Sequence, residues 1–115
     1  MKKIIVTGGS GFIGSNLVNY LIKKRYYVIN IDKLTYSSST YNKNKLPKNR
    51  YKFLKLDINN KIKIKKIFKK YKPECIFNLA AETHVDRSID SPYQFINSNI
   101  LGVFNILEAI RDHNK

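Results

Sequence analysis

Apolar residues along this chain fall into two alternating kinds of run. Ile4-Ile5-Val6, Tyr27-Val28-Ile29-Asn30-Ile31, Tyr51 to Leu56 and Cys75-Ile76-Phe77-Asn78-Leu79-Ala80-Ala81 are short and dense. Such runs predict strands: Lys3 to Thr7 reads as a buried one, and Tyr51 to Leu56 alternates. Between them the spacing is helical. From Phe12 to Lys24, Ile13, Leu17 and Leu21 recur with Gly14, Val18 and Ile22 beside them. From Asn60 to Lys72, Ile64, Ile67, Phe68 and Tyr71 share one face, and Pro73 ends the segment. Ser91 reads as an N-cap with Pro92 at the first helical position. The helix they open places Ile96, Ile100, Val103, Phe104, Leu107 and Ile110 together. Residues 35–50 are polar, rich in Ser, Asn and Lys, and read as a loop or a poorly formed helix.

The order is strand, helix, strand, loop, strand, helix, strand, helix. Such alternation predicts an α/β fold with a parallel sheet, right-handed crossovers and helices on both faces. The expected architecture is a partial Rossmann fold of about four strands in the order 3-2-1-4. Ligand would bind at the carboxyl ends of the strands near the switch point. With 115 residues and no internal linker or repeat, residues 1–115 read as one domain.

Composition narrows the partners. The formal charge is +14, from 22 basic and 8 acidic residues. Such a surface attracts anions. The basic residues are mostly Lys and are scattered, with seven between Lys61 and Lys72. That pattern reads as a solvated face, without an Arg-rich recognition helix or zinc-finger spacing. Cys75 is the single cysteine, so no internal disulfide or multi-cysteine metal site can form. This suits a reducing cytoplasm, and its apolar neighbours predict a buried small side chain. Met1-Lys2-Lys3 precedes an apolar run too short for a signal peptide, and no segment reaches membrane-span length.

The chemistry concentrates in Val6-Thr7-Gly8-Gly9-Ser10-Gly11-Phe12-Ile13-Gly14. It reads as Gly8-x-x-Gly11-x-x-Gly14 or as Gly9-x-Gly11-x-x-Gly14. A strand lies before it and a helix after. A turn of this kind lets a dinucleotide pyrophosphate rest on backbone N–H groups at a helix N-terminus. Asp32 ends the second strand, 18 positions after Gly14. A carboxylate there can accept from an adenosine ribose and would repel a 2′-phosphate, which favours NAD over NADP. Lys33 partly offsets that repulsion. Asp57, at the end of the third strand, can accept from an adenine amino group or serve as an ordinary strand-end aspartate. After the fourth strand, Glu82, His84, Asp86 and Arg87 can act as acid–base groups or as an ion-pair network. One His with flanking carboxylates lacks the recurrent spacing of a metal site. A Ser88-His84-Asp86 triad has no nucleophile elbow to support it. His113 reads as exposed.

Thr7-Gly8-Gly9-Ser10-Gly11-Phe12-Ile13-Gly14-Ser15 resembles the start of the extended short-chain dehydrogenase/reductases. Asn30-Ile31-Asp32-Lys33-Leu34-Thr35-Tyr36 and Ala80-Ala81-Glu82-Thr83-His84-Val85-Asp86-Arg87-Ser88-Ile89 resemble one branch, the dTDP-glucose 4,6-dehydratases. That branch more often has Ser at the position of Thr83. Asn99, Gly102, Leu107 and Glu108 match its following helix. The resemblance covers the whole chain, most weakly over residues 37–50, and Ala80 to Ile89 carries most of its specificity.

The resemblance implies roles. Gly8, Gly11 and Gly14 shape the turn, and Phe12 and Ile13 meet NAD through their backbone. Asp32, Lys33, Leu34 and Thr35 surround the adenosine ribose, and Asp57 and Ile58 flank adenine. Leu79, Ala80, Ala81 and Thr83 line the cofactor groove, with Thr83 also approaching the nucleotide sugar. Ser98 stands where the family has a cofactor-contacting Thr. Val103 and Leu56 also depart from the family, as packing changes. The implied reaction takes dTDP-glucose to its 4-keto-6-deoxy product, in a cytoplasmic homodimer.

The family's catalytic Tyr-x-x-x-Lys and Thr-Asp-Glu lie beyond the position matching Lys115. Tyr41-Asn42-Lys43-Asn44-Lys45 and Tyr20-Lys24 have the Tyr–Lys spacing in the wrong elements. The expectation is therefore the amino-terminal, NAD-binding part of such an enzyme, without catalytic residues of its own. Its last strand edge and the apolar face of its last helix would be exposed. A second expectation is a related epimerase or decarboxylase. A third is a non-catalytic module that binds NAD or nucleic acid.

Overall fold

The computed structural model describes residues 1–33, 46–80 and 101–113. Its elements are β1 (Lys3–Thr7), α1 (Phe12–Lys23), β2 (Tyr27–Asp32), β3 (Tyr51–Lys55), α2 (Lys61–Tyr71), β4 (Cys75–Asn78) and α3 (Gly102–His113). The four strands form one parallel sheet in the order β3-β2-β1-β4. This is the order expected from the alternation of elements. Ile5 sits in register with Ile29 on one side and Ile76 on the other.

The described residues divide into two compact units. The first runs Met1–Asp57 and Pro73–Leu79 and contains the sheet and α1. Its strands are rich in Ile and Val, whose branched side chains fit a pleated surface. Ile4, Val6 and Val28 lie on one face of the sheet and pack with Val18, Leu21 and Ile22. The last three recur at helical spacing along α1. Leu17, Tyr26, Leu46 and Tyr51 close around this cluster. Burying each aliphatic side chain contributes about 1.5–3 kcal/mol. Ile5, Ile29 and Ile31, of opposite pleat, are also fully buried. The helix α1 ends through Arg25 in the left-handed region, at φ 69°. The Arg25 N–H donates to the Ile22 carbonyl at 3.0 Å.

The second unit contains α2 and α3, which pack on each other. The Asn60 side chain caps α2 by accepting the Lys63 N–H at 3.2 Å. Ile64 and Phe68 form its buried stripe, with Ile67 and Tyr71 half-buried, as the periodicity predicts. Six of the seven lysines between Lys61 and Lys72 are exposed and Lys65 is half-buried, so they do form a solvated face. Lys65 pairs with Asp112 at 2.7 Å. On α3 the buried positions are Gly102, Ile106 and Ala109. Leu101, Phe104 and Leu107 are 47%, 53% and 58% exposed. Of the apolar face expected from the sequence, Phe104 and Leu107 meet solvent, while Val103 and Ile110 are half-buried.

Two expectations are corrected. Cys75 is exposed, not buried. It begins β4, the outer strand among those described, and Phe77 two residues on is also exposed. A strand at that position lacks a neighbour on its second side, so apolar neighbours in sequence do not ensure burial. His113 is half-buried, not exposed, because its ring lies edge-on to Phe68 with centroids 6.0 Å apart. Leu34, Thr35, Ala81, Thr83 and Ser98 lie outside the described residues. So do His84 with its neighbours, the Ser91-Pro92 cap, Ile96, Ile100 and the Tyr41–Lys45 pair. Among the described residues no helix is long and apolar enough to cross a membrane.

Candidate functional site

The first unit places the glycine turn where the sequence predicts it, between the end of β1 and the start of α1. Both glycine readings have physical content. Gly8 has φ 71°, a conformation that L side chains rarely adopt. Its N–H donates to the Ile31 carbonyl at 2.8 Å. A Cβ on Gly9 would lie 2.4 Å from Oδ1 of Asn30. One on Gly14 would lie 2.1 Å from the Gly8 carbonyl oxygen and 2.7 Å from the Gly9 Cα. The first turn of α1 thus packs directly onto the bend.

Gly11 is different. It is the N-cap, with φ −76° and ψ 179°, ordinary extended backbone. A Cβ there would meet Gly8 O at 3.5 Å, an ordinary contact. Neither conformation nor internal packing requires glycine at this position. No side chain caps α1, and its first turn holds no acidic residue. Helix geometry leaves the N–H groups of Phe12, Ile13 and Gly14 without intrahelical acceptors. The Phe12 and Ile13 side chains are 82% and 70% exposed. An uncapped helix N-terminus behind a Cβ-free approach is an arrangement that can receive an anion.

Asp32 is buried at the end of β2, and its Oδ2 accepts the Ser10 N–H at 3.0 Å. The carboxylate is therefore tied to the turn. Lys33 Nζ lies 4.0 Å from Asp57 Oδ2, both partly exposed. The Leu56 N–H donates to the Asp32 carbonyl at 3.1 Å, which fixes the end of β3 beside β2. Leu79 follows β4, and its N–H donates to the Thr7 carbonyl at 3.0 Å. Gly8, Gly11, Phe12, Ile13, Gly14, Asp32, Lys33, Asp57 and Leu79 thus all lie at the carboxyl end of this sheet. Ile58 and Ala80 fall in the second unit. There Ile58 is buried and its carbonyl accepts from Asn105 Nδ2 at 3.2 Å.

Sequence reasoning missed the buried polar residues beneath the turn. The Asn30 Oδ1 accepts the Gly9 N–H at 2.9 Å. Its Nδ2 donates to Ser10 Oγ at 3.1 Å and to the Tyr51 hydroxyl at 3.0 Å. Burial pushes the Tyr51 phenol pKa up, the Asn30 hydrogen bond lowers it, and the nearby Asp32 carboxylate raises it, with the net shift upward. The buried Thr7 hydroxyl donates to Asn78 Oδ1 across β1 and β4. The available signal was a polar residue inside an apolar strand run, since such a group must find partners when buried.

The model of the GDP-mannose 4,6 dehydratase family matches residues 5–115. The chain belongs to this family. The dTDP-glucose 4,6-dehydratase of Neisseria meningitidis serogroup B is 47% identical over 113 residues. That match covers 96% of this chain and 32% of the relative. The dTDP-glucose 4,6-dehydratase of Escherichia coli is 46% identical over 113 residues, covering 96% of this chain and 31% of its own length. The chain therefore spans about a third of the curated relatives it matches. Among solved structures, the Streptomyces venezuelae dTDP-glucose 4,6-dehydratase with NAD and TYD bound superposes with a TM-score of 0.87 at 32% identity. The overlap is 97% of this chain and 36% of that one. The Thermus thermophilus UDP-glucose 4-epimerase complex with NAD gives 0.84 at 30% identity, over 97% and 34% of the two chains.

Proposed function

We propose that this chain is the NAD-binding part of a dTDP-glucose 4,6-dehydratase. The observation that carries the reading is Gly11, open where the fold needs no glycine, in front of the uncapped end of α1. Backbone approach of a pyrophosphate explains that residue. The curated relatives at 45–47% identity, all dTDP-glucose 4,6-dehydratases, support the substrate class over an epimerase or decarboxylase.

In this reading the Phe12 and Ile13 N–H groups hold the pyrophosphate. Asp32 accepts from the adenosine ribose with Lys33, Leu34 and Thr35 around it, and Asp57 with Ile58 meets adenine. Leu79, Ala80, Ala81, Thr83 and Ser98 line the remaining groove, and Thr83 also approaches the sugar. Bound NAD supplies a hydride acceptor for oxidation of the sugar. This chain's residues bind and orient it. The complete enzyme is a cytoplasmic homodimer, and this segment alone gives no turnover.

Titration with NAD and with random-sequence DNA at physiological salt tests the reading. Salt-resistant NAD binding that Asp32→Ala abolishes supports it. DNA binding that falls steeply with salt, without NAD binding, would overturn it in favour of an electrostatic module. Formation of a 4-keto-6-deoxy sugar nucleotide by the purified chain would refute its inactivity alone.

A further inference from the structure

We infer that Asn30 is a positioning residue, which with Tyr51 behind it sets the direction of the Gly9 and Ser10 segment of the turn. The inference rests on the dinucleotide reading for its consequence, not for its geometry. Gly8, Gly9 and Gly11 give this bend little side-chain packing and much backbone freedom. Something else must hold it. Asp32 anchors Ser10, but that carboxylate also has the ribose to serve. Asn30 has no such second task, since it is 1% exposed and out of a ligand's reach.

Its three hydrogen bonds among the described residues are all internal. The Gly9 N–H can only donate, so the amide oxygen must face it and the amide nitrogen must face the two hydroxyls. The result is a strut from β3, through β2, to the turn: Tyr51 hydroxyl, Asn30 amide, Gly9 N–H and Ser10 Oγ. The fit is close, because the space a Gly9 Cβ would need is occupied by the Asn30 amide. Rigid support of this kind fixes where the following amides point, which is what an anion site requires.

The test compares the chain with Asn30→Leu and Tyr51→Phe. The readouts are amide exchange at Gly9, and affinities for NAD and for adenosine, which lacks the pyrophosphate. For Asn30→Leu the expected result is faster exchange at Gly9, with the Ile5 and Ile29 amides of the ladder unchanged. NAD affinity falls about tenfold, the loss of one to two hydrogen bonds' worth of orientation. Adenosine affinity stays within about twofold. Tyr51→Phe, which keeps the ring and removes one hydroxyl, weakens NAD about threefold and carries the test if Asn30→Leu does not fold. Equal losses for both ligands would mark a merely structural role and overturn the inference, as would unchanged NAD affinity. If the unmodified chain binds neither ligand, the dinucleotide reading fails, and exchange at Gly9 still decides the strut: unchanged protection in Asn30→Leu overturns it.

Discussion

The Gly14 Cα faces the Gly8 carbonyl so closely that an added Cβ would sit 2.1 Å from its oxygen. Backbone stands against backbone there, so no flexible side chain can yield. Gly14→Ala should destabilise the fold by about 1–3 kcal/mol or more, the range for forced overpacking. Gly11→Ala, with 3.5 Å of clearance, should change stability by only a few tenths of a kcal/mol. Chemical denaturation of the two variants checks the contrast. Equal losses would contradict the assignment of Gly14 to packing and Gly11 to ligand approach.

In the proposed NAD site, Asp32 sets the cofactor preference through its charge. Asp32→Asn keeps an oxygen to accept the Ser10 N–H, so the turn should persist. The repulsion of a 2′-phosphate should disappear. The ratio of NADP to NAD dissociation constants should fall about tenfold or more toward unity, since removing one close charge repulsion is worth about 1–2 kcal/mol. A ratio that does not move would remove Asp32 from the ribose site.

Tyr51 gives the fold an alkaline limit. Its folded pKa is raised above 10.0 by burial first. Between pH 10 and the higher folded value, the unfolded chain has lost a proton that the folded chain keeps. Stability from this group is therefore complete below the unfolded pKa and is lost as pH rises through the folded one. Ultraviolet titration should show a late tyrosine component that is absent from Tyr51→Phe. Stability measured from pH 9 to 11.5 should fall less steeply in that variant.

The exposed Phe104 and Leu107 on α3, with Leu101 just before it, leave an apolar stripe. The chain on its own should self-associate or aggregate through it and through the edge of β4. Phe104→Ser combined with Leu107→Ser should shift light scattering toward smaller species while leaving helix content unchanged. A soluble monomer of the unaltered chain with a cooperative, reversible melt would contradict this.

Much of this was legible in the sequence. The Ile/Val strand runs, the helical spacing of Val18, Leu21 and Ile22, and the right-handed crossover rule together gave the strand order. The glycines and Asp32 gave the place of the candidate site. The strut was not legible, because Asn30 and Tyr51 lie on different strands and their pairing depends on register. Cys75 failed for a related reason. Burial of an apolar run depends on whether its strand is central or outermost, and local pattern carries no record of that. His113 failed because its partner, Phe68, is on another helix.

Calorimetric titration of NAD into the chain and into Gly11→Ala is the most direct test of the central claim. The expected result is binding to the unaltered chain, about tenfold or more weaker binding to the variant, and nearly equal stability of the two. Undiminished NAD binding by Gly11→Ala, or its absence from the folded unaltered chain, would contradict it.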